Sequence, residues 1–262
     1  MSEVADWSKL DQPQILMFVF HPREDWTPTP PGTSDHSIPV ADGVSISGRF
    51  YATSLDAPSI LYFHGNGEVV YDYDDIAPIY NSIGANLFVV DYRGYGQSGG
   101  SPTFSNTVSD ARTAFEYFRD TLKADGYTGP SFIMGRSLGS LSAVEIASNY
   151  GDELRGLIIE SGFASVSKLL LYLIPIMTSA GLTEFERASL ARLRSITMPV
   201  LLIHGEYDEI IPAEQAQVFY ENVGSADKTL LTIPWAGHND ILLRGMDKYF
   251  STIREFLLKH SP

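Results

Sequence analysis

Ser131-Phe132-Ile133-Met134-Gly135-Arg136-Ser137-Leu138-Gly139 is the stretch that decides the fold. Residues 131–134 are a short apolar run of strand type, and residues 138–149 read as a helix. Two glycines flank the serine at the junction. A sharp strand-to-helix turn leaves no room for side chains at those places. It also holds the serine in a strained backbone, with its Oγ projecting from the sheet edge. The helix N-terminus below adds partial positive charge where an oxyanion would develop.

Outward from that turn the chain alternates strand and helix. Residues 59–63 form an apolar strand running into His64-Gly65-Asn66-Gly67. Residues 69–83 have helical spacing, with Asp72, Asp74 and Asp75 early, where the helix dipole favours acids, and with Pro78 as a point of kinking or splitting. Residues 86–91 are a β-rich run ending in Asp91-Tyr92-Arg93-Gly94-Tyr95-Gly96. Val108, Ala111, Phe115, Phe118 and Leu122 mark a helix over 106–122. Strands follow at 157–160, 200–204 and 229–233, and helices at 213–223 and 240–258. This alternation predicts an α/β fold with a mostly parallel, twisted sheet and helices on both faces. The near-continuous apolar strands agree with a sheet covered on both sides.

Two segments depart from the rhythm. Residues 36–40 and 44–53 flank Asp42-Gly43, a hairpin signal that adds an antiparallel N-terminal edge. Before it, residues 1–35 read as an irregular lead-in. Residues 15–20 of it pack on the main body, and Thr27-Pro28-Thr29-Pro30-Pro31-Gly32 forms an extended connection. The second departure is 164–198, too long for a plain crossover. It holds Leu169-Leu170-Leu171-Tyr172-Leu173-Ile174-Pro175 and then a charged helix-like segment at 183–193. We read it as a small helical cap on a single domain of residues 36–262, its apolar stretch packing at the site entrance.

Composition limits the function. The 262 residues are 44% hydrophobic and 19% charged, ordinary for a globular domain. A net charge of −14 argues against nucleic acid, whose phosphates need clustered Lys and Arg, and against an anionic membrane surface. With no cysteine there is no disulfide framework, thiolate metal site or Cys nucleophile. No stretch approaches the ~18 apolar residues of a membrane span, and no leader pattern is visible. The expectation is a cytoplasmic protein without stable membrane insertion. No metal-ligand cluster or dinucleotide fingerprint occurs, so no cofactor or metal is expected. Oligomeric state is not legible.

A serine hydroxyl is a poor nucleophile without a base. Of His21, His36, His64, His204, His238 and His260, only His238 follows a late strand, in Ala236-Gly237-His238-Asn239-Asp240. His204 stands too near the acid, and His64 reads as the holder of its glycine loop. The acid that would orient the base is Asp208, in His204-Gly205-Glu206-Tyr207-Asp208, with Glu160 and Glu206 as rivals. The backbone N–H groups of Leu138 and Asn66 are the candidate oxyanion donors, with Gly65 and Gly67 letting the backbone approach a substrate. Arg136 and Phe163 are further substrate-binding candidates.

Taken together, His64-Gly65-Asn66-Gly67, Asp91 to Ser98, Gly135-Arg136-Ser137-Leu138-Gly139, His204 to Asp208 and Gly237-His238 resemble the α/β-hydrolase superfamily over residues 36–258. The loop His64-Gly65-Asn66-Gly67 with Asp91 to Ser98 is similar to small esterase, lysophospholipase and acyl-thioesterase-type members. The resemblance implies a serine hydrolase acting on a small acyl substrate through an acyl-enzyme. It implies a turn-forming role for Asp91 and Arg93. A serine at the elbow, where dehalogenases and epoxide hydrolases carry Asp, sets those aside. An aminopeptidase on the same triad stays open, as does a binding protein that keeps the fold without turnover. Glu68, Asp72 and Asp75 form an acidic patch that reads as a solvated helix start, or as a preference for cationic substrates.

Overall fold

Eight strands form one sheet in the order β1-β2-β4-β3-β5-β6-β7-β8 in a computed structural model that describes residues 5–174 and 182–261. The strands are β1 (Thr33–Ala41), β2 (Val44–Tyr51), β3 (Ser59–Phe63), β4 (Asn86–Val90), β5 (Ser131–Arg136), β6 (Gly156–Glu160), β7 (Val200–Gly205) and β8 (Lys228–Ile233). β1 pairs with β2, and β2 with β4, antiparallel; every other pairing is parallel. The helices are α1 (Pro13–Val19), α2 (Ala77–Ser82), α3 (Phe104–Ala124), α4 (Gly139–Asn149), α5 (Val166–Leu173), α6 (Thr183–Ser195), α7 (Glu214–Asn222) and α8 (Ile241–His260).

Alternate strand residues feed two cores. Leu61, Phe63 and Ile133 join Phe115 and Phe118 of α3 and Ile146 of α4 on one face. Ile60, Tyr62, Phe132 and Met134 join Tyr80 of α2 and Tyr249, Phe250 and Ile253 of α8 on the other. Both sides of the central strands are therefore dry, which is why they read as continuous apolar runs.

The chain runs from β3 to β4 on one side and returns to β5 on the other. That reversal opens a crevice at the carboxyl ends of β3 and β5, where open α/β sheets place their ligands. Phe63 pairs opposite Gly135, so the two loops leave the sheet side by side.

Three elements differ in detail from the sequence reading. β1 reaches back to Thr33, and residues of the lead-in form α1, with Pro13 in its first turn, where a missing N–H costs nothing. Trp7 anchors the same segment between Phe104 and Phe185, with ring centroids 6.5 and 5.7 Å away. The stretch 69–83 is split into a 3₁₀ turn, Val70–Tyr73, and α2, whose first turn holds Pro78. The expected cap region contains α5 and α6, and Arg192 of α6 pairs at 2.8 Å with the buried Glu145 of α4. Residues 175–181, with Pro175 of the apolar stretch, lie outside the described residues. Among the described residues no helix is long and apolar enough to cross a membrane, and no group of three His, Cys, Asp or Glu side chains could hold a metal ion.

Candidate active site

β5 delivers Ser137 on a turn with φ +50°, a left-handed conformation that a non-glycine residue holds only under constraint. The constraint is visible. Ser137 N–H donates to Glu160 O at 2.8 Å, and Ser140 donates to Ser137 O from both N (3.0 Å) and Oγ (2.6 Å). A Cβ on Gly135 would overlap the Gly139 carbonyl, and one on Gly139 would overlap the Phe63 carbonyl. The glycine spacing read from the sequence is thus a packing requirement between β3, β5 and α4.

The loops after β7 and β8 bring the other two residues. His238 Nε2 lies 2.9 Å from Ser137 Oγ, and His238 Nδ1 lies 2.7 Å from Asp208 Oδ2. All three side chains are buried. A carboxylate can only accept, so Nδ1 carries a proton and Nε2 of the neutral ring accepts from the serine hydroxyl. The other oxygen of Asp208 accepts from Ile210 N (3.0 Å) and Ile211 N (2.7 Å). His204 Nε2 sits 3.3 Å from Asp208 Oδ2 and donates to Ile211 O at 2.8 Å, bracing the loop from beneath. Burial alone would raise the Asp208 pKa. The hydrogen bonds from His204 and His238 outweigh it and hold the carboxyl well below its ordinary range.

The rival acids are engaged elsewhere. Glu160 accepts from Arg136 Nε (3.0 Å) and from the Tyr249 hydroxyl (2.6 Å), and Glu206 accepts from Trp235 N (3.0 Å). His64 is fully buried, bridging Asp91 Oδ1 (3.1 Å) and Gly65 O (2.8 Å). It holds the loop rather than facing the serine. His260 lies on the last helix, 3.7 Å from Asp227.

A cavity of about 260 Å³ opens in front of Ser137. Leu138 and Asn66 line it, and neither backbone N–H donates to another group among the described residues. Val19, Leu169, Leu173 and Ile210 form its apolar wall; His21 and Asn239 add polar edges. A larger cavity of about 370 Å³ lies beside it, beyond Arg136 and His238, and Ser137 does not line it.

The remaining candidates separate. Arg136 borders the cavity, but its guanidinium is engaged with Glu160, Glu68, His238 O (3.0 Å) and Asn239 Oδ1 (3.0 Å). It ties the loop after β3, the elbow and the loop after β8 together. Phe163 turns away into the α3/α4 core and borders a small recess with Trp7 and Ser140. Gly65 N–H is taken by Glu68 Oε2 (2.7 Å) and Gly67 O by Arg23 (3.0 Å), and neither glycine lines the cavity. Of the acidic patch, Glu68 meets Arg136 and the Tyr73 hydroxyl and Asp72 meets Arg23 at 2.9 Å, both bordering the larger cavity, while Asp75 is exposed. Val19 and His21 are cavity residues that the sequence reading left in the lead-in. No spacing pattern links them to loops some 45 positions away.

Comparison with known proteins identifies the family and the fold. Residues 57–183 and 165–242 match the family described as Serine aminopeptidase, S33. Protein bem46 of Schizosaccharomyces pombe is 32% identical over 208 residues, covering 78% of this chain and 68% of the relative. Among solved structures, the esterase Pf2001 of Pyrococcus furiosus aligns with a TM-score of 0.75 at 20% identity, over 91% of this chain and 98% of the other. A monoacylglycerol lipase of Paleococcus ferrophilus aligns with a TM-score of 0.64 at 19% identity, over 82% and 99%. At those identities the structural likenesses speak for the shared fold.

Proposed function

Because the chain belongs to the serine aminopeptidase S33 family of α/β hydrolases, and so is a hydrolase by family and fold, we propose that it cleaves carboxylic esters through an acyl-enzyme on Ser137. The observation that carries this reading is the buried chain Asp208–His238–Ser137, with contacts of 2.7 and 2.9 Å. Ser137 Oγ attacks the acyl carbonyl carbon as His238 Nε2 takes its proton. Asp208 holds the imidazole in the required tautomer and stabilises the imidazolium. The N–H groups of Leu138 and Asn66 face the oxyanion, each such donor contributing about 3–4 kcal/mol to the transition state. His238 then protonates the departing alcohol oxygen. Water enters, gives a proton to His238 Nε2 and attacks the acyl carbon; the acyl–Oγ bond then breaks, His238 returns that proton to Ser137 Oγ, and the acid leaves.

The cavity wall favours an ester over a peptide with a free amino terminus. Among the described residues lining it, none is acidic, so nothing there would pair with an ammonium group. Its apolar wall and volume suit a short or medium acyl chain.

Pre-steady-state kinetics with p-nitrophenyl esters of increasing acyl length test the proposal. The expected result is a burst with turnover, lost in Ser137→Ala, together with fluorophosphonate labelling of Ser137 in the wild type. A wild-type protein that neither turns over nor labels would refute it and return the fold to a binding role.

A further inference from the structure

The family match begins at residue 57, so the lead-in lies outside it. That segment nevertheless reaches the site at three places. Val19 lines the cavity, Arg23 donates to Gly67 O at 3.0 Å, and His21 both lines the cavity and grips Asn66.

The hydrogen bonds fix the state of His21. Its backbone N–H donates at 2.9 Å to one atom of the Asn66 carboxamide, which also accepts from the Tyr95 hydroxyl at 2.7 Å. A backbone amide can only donate, so that atom is the oxygen, Oδ1. Asn66 Nδ2 is therefore a donor, and its 2.7 Å contact with His21 Nδ1 requires that ring nitrogen to be unprotonated. The proton of the neutral ring sits on Nε2, which has no partner among the described residues. Similar logic applies to Asn239. Its Oδ1 accepts from Arg136 at 3.0 Å, leaving Nδ2 as a donor without a partner among the described residues. His21 and Asn239, both exposed residues that line the cavity, thus each keep a neutral donor without a protein partner among the described residues, and no carboxylate lines the cavity with them.

Resting on the esterase reading above, we propose that His21 is a specificity-determining residue. Its Nε2–H selects acyl groups that carry a second neutral oxygen acceptor (keto, ether or hydroxyl) beyond the scissile carbonyl. Its Nδ1 meanwhile holds the Asn66 loop that supplies an oxyanion N–H. His21 is exposed, so its Nε2–H meets water in the empty cavity; a substrate oxygen replaces that water on a fixed donor, and the analogue lacking it gains no such contact.

The test compares kcat/KM for p-nitrophenyl hexanoate, 4-oxohexanoate and 5-oxohexanoate in the wild type, His21→Ala and His21→Asn. The leaving group and backbone length are constant, so intrinsic reactivity cancels between proteins. At least one oxo ester is expected to gain about threefold over hexanoate in the wild type relative to His21→Ala. His21→Ala should also lower kcat on all three esters, because Asn66 Nδ2 loses its acceptor. In His21→Asn the new carboxamide oxygen stands where Nδ1 was, restoring kcat but not the preference for an oxo ester. Equal preference in all three proteins, with the wild type turning over and labelling at Ser137, overturns the role of His21 alone. Absence of both turnover and labelling overturns the esterase reading itself.

Discussion

Replacing Arg136 by Met tests whether one guanidinium holds the site's three loops in register. The side chain is 12% exposed and makes polar contacts to Glu68, Glu160, His238 O and Asn239. Methionine fills much of the volume but leaves Glu160, 5% exposed, and Glu68, 24% exposed, without their cation. Breaking a buried pair from one side costs about 3–5 kcal/mol, since the orphaned charge stays in low dielectric. Neutral donors remain to both acids: Tyr249 to Glu160 at 2.6 Å, and Tyr73 (2.8 Å) and Gly65 N (2.7 Å) to Glu68. The lower end of the range is therefore expected, about 3 kcal/mol, or a fall in Tm of about 6–12 °C for a chain of this size. The sign of its pH dependence follows from Glu68. In the wild type, burial would raise its pKa, and Arg136 together with His64 brings it below the ordinary value. Its contribution to stability is thus present above an unfolded pKa of about 4.3 and lost as pH falls through the folded value. Without Arg136, the largest influence opposing burial is gone and His64, Tyr73 and the Gly65 N–H offset it only in part, so ionised Glu68 weighs against the fold at pH 7. The gap between wild type and variant should narrow as pH falls from 7 towards about 4.3. Urea titrations at pH 7, 5.5 and 4.5 measure it. A deficit below about 1 kcal/mol at pH 7, the scale of an exposed pair, or one that does not change with pH, would refute the reasoning.

Two further substitutions probe the elbow and the acid. Asp208→Asn keeps the loop bonds through Oδ1 but offers His238 Nδ1 an amide donor or a neutral oxygen. Turnover of p-nitrophenyl esters at pH 7 should fall by about 10⁴-fold, with the far-ultraviolet spectrum unchanged; a loss under tenfold would remove Asp208 from the triad. Gly139→Ala drives a Cβ against the Phe63 carbonyl, a backbone atom that cannot swing aside. It should cost about 1–3 kcal/mol in urea unfolding and most of the ester turnover, and near-wild-type behaviour in both would show that the elbow can relax.

Most of the architecture was legible because its determinants are local. The glycines at 135 and 139 are forced by contacts with α4 and the end of β3, and short-range spacing reports that crowding. The strands announce themselves because both sheet faces are covered. Even the split of 69–83 had a local mark in Pro78, which the structure places in the first turn of α2. Ser137, Asp208 and His238 were readable from their positions after strands, and the structure brings them into one hydrogen-bonded chain.

What the sequence hid depends on which way a side chain turns once the loops pack. Arg136 and Phe163 are both substrate-binding candidates in the sequence, and both turn elsewhere. Arg136 instead finds two carboxylates within reach, and a buried cation satisfies those before it faces an open cavity. Phe163 finds an apolar recess, and burying its ring there removes it from water more completely than a cavity rim would. His21 and Val19 are the converse case. They sit in a stretch with no periodicity, and only the docking of α1 beside α5 carries them to the crevice between β3 and β5. That crevice is fixed by topology, because the chain reverses direction about β3 and the loops must part there. The walls that close it come from segments outside the sheet, α5 and the lead-in. On the proposed esterase reading, the chemistry of attack is therefore encoded in the sheet, where spacing can be read, and the choice of substrate in the walls, where it cannot.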